Sequence, residues 1–289
     1  MQIRRKIPIA IEGYLFSVAI VVLLVLLYTP LLIHWCDGWL HKTIGIEHEY
    51  FSHGLIGLPY ALYTAWTHRD RWSKLPNSFH PLGAVLLAIG GVFYISRLSD
   101  LVNLSFPVIL TGICLCLKGI PGFKLQRIPL LFVLLATPNY IPYLIEPYAL
   151  PLQHFIATIA GFILTQIGLD VTVENIYLYV SGRIVEVAPH CAGLKMLFTS
   201  IYVSLMLLHW TGVWSDRNRS ILFLAIAIVA STTANILRNT LLTLFHGIGQ
   251  EKAFEWLHAG WGGDLYSACM LGMLVLILNG IEKYFPSKY

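Results

Sequence analysis

The chain has 289 residues, of which 57% are hydrophobic and only 12% are charged. Its charged residues lie in short stretches between long apolar runs, which is typical of a polytopic α-helical membrane protein. The net charge of +4 is spread over these stretches, so it indicates topology and gives no support for nucleic-acid binding. The apolar runs take up most of the 289 residues, and the residues between them are too few for a second, soluble domain. We therefore predict a single integral membrane domain over residues 1–289.

The predicted architecture is a bundle of about eight transmembrane helices with a short extracytoplasmic β-hairpin and one proline-broken or re-entrant segment. Apolar runs predict spans at residues 9–33, 54–67, 81–96, 101–117, 151–168, 191–213, 221–245 and 265–281. Residues 34–53 are expected to form an external segment. Residues 128–150 contain four prolines, which interrupt helices, so this segment is expected to be broken or re-entrant.

The distribution of Lys and Arg predicts the orientation, because these residues accumulate on the cytoplasmic side. Basic residues at positions 4–6 precede the first span, and Lys283 and Lys288 follow the last one, so both termini are predicted to be cytoplasmic. Arg217 and Arg219, between the sixth and seventh spans, then lie on the same side. Counting residues 128–150 as a ninth span would place both arginines outside, and we reject that alternative.

Residues 171–187 are rich in β-branched and aromatic side chains on either side of Ser181 and Gly182. This alternation predicts a two-stranded hairpin on the external face. Its second strand leads the chain directly into Pro189 and Cys191.

Cys191 is the candidate nucleophile. Proline is favoured at the first position of a helix, so Pro189 predicts that Cys191 lies in the first turn of the span at 191–213. A helix N-terminus favours an anion and lowers the pKa of a thiol. Gly193 lets the backbone approach a substrate carbonyl, where nearby N–H groups could hold an oxyanion. These residues alone leave open the alternative that a helix simply begins here with small residues.

Arg238 and His258 are predicted to lie on the same membrane face as Cys191. A guanidinium inside an apolar run costs ~2.5 to 3.5 kcal/mol on insertion scales, so Arg238 should face the bundle interior and an anion or carbonyl. A structural arginine that satisfies helix carbonyls together with Asn235 and Asn239 is the alternative. His258 is expected in the external loop before the last span, where it is either solvated or available for proton transfer.

The ordered set of these motifs resembles the exosortase/archaeosortase family of membrane-embedded cysteine transpeptidases. The matching residues are Cys191 in Cys-Ala-Gly-Leu, Arg238 in Asn-x-x-Arg, and His258 before a glycine-containing segment. The segment from Phe51 to Leu55, which contains His53, resembles an aromatic-Ser-His-Gly segment of the family. The resemblance covers nearly the whole chain, with the motifs in the same order and at similar spacings.

Three positions near Cys191 differ from the pattern of many members. The form Cys-Ala-Gly-Leu-Lys, with Ala192 and Lys195, is similar to the cyanobacterial branch of the family. His190 stands where a small or acidic residue is usual, and it leaves a second histidine as a candidate base.

The resemblance implies that Cys191 is the nucleophile, that Arg238 stabilises thiolate or oxyanion charge, and that His258 is the general acid/base. It further implies supporting or substrate-binding roles for a second group of residues: His190, Gly193, Lys195, Asn235 and His53.

The partners implied by the resemblance are secreted proteins that carry a PEP-CTERM-like C-terminal sorting signal and a membrane helix. The other partners are membrane lipid and an acceptor nucleophile that the sequence does not identify. The active site is expected on the extracytoplasmic side of the cell inner membrane. No metal and no cofactor is expected.

Two readings without peptidase activity stay open. A membrane transporter is favoured by the proline-broken segment at residues 128–150, although no internal repeat is visible. A haem-binding or other cofactor-binding bundle is favoured by the regular spacing of His34, His41 and His48. A rhomboid-like serine protease is disfavoured, because the chain has no Gly-x-Ser-x-Gly motif.

Overall fold

The computed structural model describes residues 9–40, 50–188 and 193–285. The structure is 81% helical and contains one small antiparallel sheet. The predicted α-helical membrane class is therefore confirmed. Contacts divide the chain into two compact units, Met1–Glu49 with Leu62–Pro138 and Tyr50–Ala61 with Asn139–Tyr289. This division does not decide whether the units form one membrane domain, which stays a prediction.

The helices in chain order are α1 (Ile9–Leu40), α2 (Gly54–Thr67), α3 (Arg69–Lys74), α4 (Pro81–Ile95), α5 (Ser99–Ala136), α6 (Ile141–Ile145), α7 (Leu150–Gln166), α8 (Leu194–Thr211), α9 (Arg217–Gly247), α10 (Glu251–His258) and α11 (Trp261–Tyr284). Short 3₁₀ turns at Glu146–Ala149 and Val213–Ser215 precede α7 and α9. Strands β1 (Val171–Glu174), β2 (Tyr177–Val180) and β3 (Arg183–Glu186) lie between α7 and α8 and pair antiparallel in that order.

In the described part of the chain, six helices are long and apolar enough to cross a membrane. They are Val18–Leu40, Ser99–Ala136, Pro147–Gln166, Leu194–Thr211, Arg217–Gly247 and Trp261–Tyr284. The spans predicted at residues 54–67 and 81–96 coincide with α2 and α4, which have 14 and 15 residues. Because a membrane-spanning helix needs about 20 residues, a crossing by these two helices stays a prediction.

Helix α1 extends beyond the predicted first span and ends at Leu40. Residues 34–40, which were expected to begin an external segment, are therefore helical, and their position relative to the membrane stays a prediction. Trp35 is fully buried, and its indole N–H donates to Asn103 Oδ1 of α5 at 2.8 Å. The hydroxyls of Tyr28 and Ser105 form a second buried hydrogen bond between the same two helices, also at 2.8 Å. These contacts stabilise the additional turns of α1.

Helix α5 covers the predicted fourth span at residues 101–117 and extends past the basic residues Lys118, Lys124 and Arg127. Gly119 has non-helical dihedral angles, with φ 57° and ψ −151°, so α5 consists of two helical segments that meet at a kink at this residue. The ammonium of Lys118, which is 8% exposed, donates to the Leu75 carbonyl at 2.6 Å and to Asn77 Oδ1 at 2.8 Å. These oxygens satisfy the charge of the buried ammonium directly before the kink.

The predicted break in residues 128–150 is confirmed, but it begins later than expected. Pro129 still lies inside α5, and the helix stops only at Ala136. Residues 137–140 are non-helical, and α6 and a 3₁₀ turn then lead into α7. Whether this segment re-enters the membrane stays a prediction.

The predicted hairpin has three strands instead of two. Asn175, with φ 55°, reverses the chain between β1 and β2, and Ser181 and Gly182 reverse it between β2 and β3 at φ 49° and 79°. Asn tolerates left-handed turn positions better than most residues. A turn at a single Asn inside an apparently continuous β-rich run was not recognised in the sequence.

The sheet packs against α7 and α9 in the second unit. Gly161 of α7 lies so close to Val173 of β1 that no side chain fits between them. Gly247 of α9 lies similarly close to Val180 of β2. The buried Gln153 side chain donates to the Val187 carbonyl at 2.8 Å, just beyond β3. The strand that leads toward residue 191 is therefore held by both helices.

Candidate active site

Helices α2 and α8 run parallel in the second unit. The His53 ring lies 4.4 Å from the Tyr202 ring, and the Tyr60 hydroxyl is 2.6 Å from His209 Nδ1. Residue numbers rise together in both helices, so their N-termini lie at the same end. His53, just before α2, is 5% exposed and packs on α8. Its contact on α8, Tyr202, lies about two turns after the beginning of that helix.

The beginning of α8 is defined by Gly193. This residue is the N-cap and has φ 79°, a left-handed conformation outside the right-handed helical region. The helix begins at Leu194, three residues after the predicted beginning of the span. Cys191 lies outside the described residues, so its expected position in a first helical turn stays a prediction. Glycine offers no capping side chain, and the first N–H groups of any helix have no acceptor within it. A cluster of backbone donors thus stands two to five residues after Cys191 in the chain.

Asn235 of α9 packs directly on Gly193. A Cβ atom added to Gly193 would lie 2.5 Å from Asn235 Cγ. Asn235 is buried, and its carbonyl accepts a hydrogen bond from the Asn239 side chain at 2.9 Å. The Asn-x-x-Arg motif is thereby in contact with the Gly193 end of the Cys-Ala-Gly-Leu motif.

Arg238 lies one turn after Asn235 on α9 and is half-buried. Its Nη2 donates to the carbonyl oxygens of Leu257 and His258 at 3.4 and 3.3 Å. Its Nε is buried without a hydrogen-bond partner, and none of the described carboxylates forms an ion pair with the guanidinium. The positive charge is held by neutral carbonyls and stays available for an anion.

His258 is the last residue of α10, so its expected position in a loop is wrong. Its side chain is exposed and its ring stacks on Phe254, with centroids 5.1 Å apart. Gly263 of α11 lies beside the junction, and a Cβ there would lie 2.8 Å from the Leu257 carbonyl and 3.6 Å from Arg238 Nη2. The absence of a side chain lets α11 approach the carbonyls that bind Arg238.

Four of the predicted site residues therefore come together in two contacts, Gly193 with Asn235 and Arg238 with the backbone of His258. Lys195 lies half-buried in the first turn of α8. Cys191 and His190 lie outside the described residues, between Ala188 and Gly193. Among the residues that the structure describes, no three His, Cys, Asp or Glu side chains form a group suited to a metal ion.

A further polar cluster lies beside this site and consists of Arg183 of β3, Glu251 of α10 and His246 of α9. Arg183 Nη1 donates to Glu251 Oε1, and His246 Nδ1 is 3.3 Å from Glu251 Oε2. Desolvation acts to raise the pKa of the Glu251 carboxyl, but the contacts with Arg183 and His246 outweigh it and hold the pKa below its usual value. We call these three residues the Glu251 cluster.

The sequence profile described as Transmembrane exosortase (Exosortase_EpsH) matches residues 39–275, which is most of the chain. The chain belongs to the transmembrane exosortase family. No curated protein and no solved structure shows a significant match to this exosortase. Family membership supports a general role in processing sorting signals of secreted proteins. Assignment to the cyanobacterial branch stays a prediction.

Glu251 and its partners were not recognised in the sequence of this exosortase. The three residues come from a strand, the end of a long helix and the beginning of a short one, so no local motif joins them. The one available signal was a carboxylate in the first turn of a short helix, where it opposes the positive end of the helix dipole.

We expect Gly193→Ala to impair this exosortase strongly. A left-handed conformation and a contact with Asn235 are both unfavourable for a Cβ atom, at about 1 to 3 kcal/mol each. The measurement is the thermal stability and substrate processing of the detergent-solubilised variant. Gly212→Ala is the matched control, because Gly212 also has a left-handed φ of 77° but no neighbouring atom within 4 Å of an added Cβ. Equal effects of both substitutions would contradict a role for the Asn235 contact.

Proposed function

We propose that this exosortase is a membrane-embedded cysteine peptidase or transpeptidase. It cleaves the PEP-CTERM-like C-terminal sorting signal of secreted proteins through a thioester on Cys191. The observation that carries the proposal is the guanidinium of Arg238, which has no carboxylate partner in the described chain. An arginine kept in an apolar helix without a counter-ion is suited to charge that develops during a reaction.

In the acylation step, the Cys191 thiolate attacks the peptide carbonyl carbon next to the sorting signal and forms a C–S bond. The carbonyl oxygen becomes an oxyanion, which Arg238 and backbone N–H groups at the beginning of α8 stabilise. Collapse of this intermediate breaks the C–N bond, and the leaving amine takes a proton from protonated His258. The products are a thioester acyl-enzyme and the released signal segment.

In the second step, an acceptor nucleophile or water attacks the thioester carbonyl. Neutral His258 takes the proton of the attacking group, the C–S bond breaks, and the Cys191 thiolate is restored. Hydrolysis releases the secreted protein, and an acceptor other than water receives it by transfer. Every proton given to the leaving amine is recovered from the nucleophile, so the cycle needs no cofactor.

The remaining candidates support this chemistry. Asn235 holds Gly193, and so fixes where the chain between Ala188 and α8 ends. Lys195, in the first turn of α8, and His53, packed on Tyr202 further along that helix, are assigned to substrate binding. His190, directly before the nucleophile, is the alternative proton-transfer group.

An extracytoplasmic site is supported by the charge at the two ends of the second unit. Arg219 and Arg238 lie 19 residues apart on α9, which at about 1.5 Å per residue is about 28 Å, close to the thickness of the hydrocarbon core. Arg217 and Arg219 begin α9 and Lys283 lies near the end of α11, so the basic end is opposite Arg238. Basic ends are typically cytoplasmic. The chain is thus assigned to the inner membrane with cytoplasmic termini.

The test is co-expression with a secreted protein that ends in a sorting signal, a membrane helix and a basic tail. The wild-type enzyme is expected to shorten this substrate, which a gel shift and mass spectrometry of the new C-terminus measure. His258→Ala is expected to slow processing by about 10² to 10⁴-fold, the usual contribution of a general acid or base. His190→Ala is expected to have a small effect.

The two histidine variants control for each other, because each removes one imidazole from the enzyme. A severe loss at His190 alone would reverse their roles. Failure of the wild-type enzyme to shorten any signal-bearing substrate would contradict the proposed function itself.

The sidedness is tested by Ala259→Cys, an exposed position directly after His258. A membrane-impermeant thiol reagent is expected to label this cysteine in intact cells. Lys283→Cys, near the basic end, is the matched control and is expected to react only after permeabilisation. The opposite pattern would place the site in the cytoplasm.

A further inference from the structure

We propose that Glu251 is a positioning residue, which holds α10 in register with the strand that leads to Cys191. This proposal rests on the proposed function, because it concerns how His258 and Arg238 reach the same place as the nucleophile. Glu251 contacts neither substrate nor reacting atoms in this proposal. It acts through the helix whose opposite end carries His258.

Helix α10 needs external support to keep its position. It has eight residues, and an isolated helix of this length is not stable in water. Of the eight residues of this helix, only Leu257 is buried. The helix is instead attached at both ends, by the Glu251 side chain at its beginning and by the Leu257 and His258 carbonyls bound to Arg238 at its end.

The attachment at the beginning joins α10 to β3. Arg183, the first residue of β3, donates to Glu251, and β3 ends at Glu186, five residues before Cys191. Gln153 fixes the Val187 carbonyl directly after the strand. A shift of α10 relative to β3 would therefore move His258 relative to the chain segment that carries the nucleophile.

A row of rings connects the Glu251 cluster with His258. The His246 ring lies 5.4 Å from Phe254, and Phe254 stacks on His258 with an angle of 9° between the rings. His246 also contacts the Glu251 carboxylate. The Glu251 carboxylate therefore contacts both Arg183 of β3 and His246, the first ring of this row.

Loss of Glu251 should affect the chemical step more than substrate docking. Small displacements of a catalytic group cost up to about a hundredfold in rate. We expect Glu251→Ala to lower kcat about tenfold or more, with KM changed by less than about threefold. Glu255→Ala is the matched control, because it removes an exposed carboxylate one turn further along the same helix. Its kcat should stay within about twofold of wild type.

A charge exchange tests the contact itself. Arg183→Glu combined with Glu251→Arg restores an ion pair between β3 and α10 with the opposite polarity. The double variant is expected to recover most of the kcat that either single variant loses, because the coupling of two contacting residues shows as non-additivity. Strictly additive losses would overturn the proposal.

A distance measurement decides the proposal without catalysis. Spin labels are introduced through a non-canonical amino acid at Ser181 and Ala259, both exposed, so that no native thiol is labelled. Pulsed electron paramagnetic resonance on the full chain in nanodiscs should give a narrow distance distribution for wild type. Glu251→Ala should broaden or shift it, and the charge exchange should restore it.

The outcomes separate the two proposals. An unchanged distribution in Glu251→Ala, or an unchanged kcat, overturns the positioning role even if the wild-type enzyme processes its substrate. If the wild-type enzyme processes no substrate, the proposed function fails, and the spin-label distances alone then show whether Glu251 holds α10.

Discussion

Cys191→Ala is expected to abolish processing of a signal-bearing substrate while the enzyme still folds in the membrane. Removal of a catalytic nucleophile costs about 10⁶-fold in kcat where this has been measured in serine proteases, so the remaining processing should fall below detection. The sulfur atom of this residue is the one that attacks the substrate carbonyl in the proposed mechanism. The measurement is the yield of shortened substrate during co-expression, with enzyme abundance followed on the same gel.

Two further experiments separate the loss of the nucleophile from a loss of structure. Cys269→Ala, which removes an exposed thiol of α11, is the matched control and should process substrate normally. A substrate trapped on the wild-type enzyme should be released by hydroxylamine, which cleaves thioesters, and no such adduct should form on Cys191→Ala. Processing by Cys191→Ala at an unchanged rate would refute the cysteine mechanism.

Arg238→Gln is expected to slow the acylation step by about 10² to 10³-fold, the usual cost of removing one oxyanion stabiliser. Glutamine can still donate to a carbonyl, whereas it carries no charge for the thiolate or oxyanion. Arg238→Lys keeps the charge but loses the planar group that reaches two carbonyls and an anion at once. It should therefore retain partial activity. Single-turnover cleavage of purified substrate measures both variants.

The structural share of the Arg238 effect is measured separately. Neither variant keeps the guanidinium Nη2 that donates to both the Leu257 and the His258 carbonyl. A buried carbonyl left without a donor costs about 1 to 3 kcal/mol if water does not replace it. Arg219→Gln is the matched control, because Arg219 lies on the same helix and is paired with Asp216 at 3.3 Å. Added guanidinium should partly restore Arg238→Ala. A loss in thermal stability without any loss in rate would make Arg238 a structural residue, the alternative that the sequence left open.

The positions of the helices were predictable because a membrane-spanning run is a local property of the chain. Helices occur at each of the eight predicted positions, and α2 coincides with the predicted residues 54–67. The ordered motifs also sufficed to indicate the family, because each motif is short and lies in one stretch. Neither result requires knowledge of which residues touch.

The ends of the helices were less predictable, because distant contacts decide them. The additional turns of α1 depend on Trp35 meeting Asn103, 68 residues later. The burial of Lys118, directly before the kink of α5, depends on oxygens of Leu75 and Asn77 that satisfy its charge. Hydropathy assigns Lys118 to a loop because it does not register a buried partner.

The sequence by itself determined the membrane class, the approximate positions of the helices and the family. Only the tertiary structure decided that Asn235 packs on Gly193, that Arg238 binds backbone carbonyls at the end of α10, and that Glu251 joins this helix to β3. The physical reason is that hydropathy and its periodicity are properties of residues that are close together in the sequence. Contacts between a strand, a long helix and an eight-residue helix depend on how they pack.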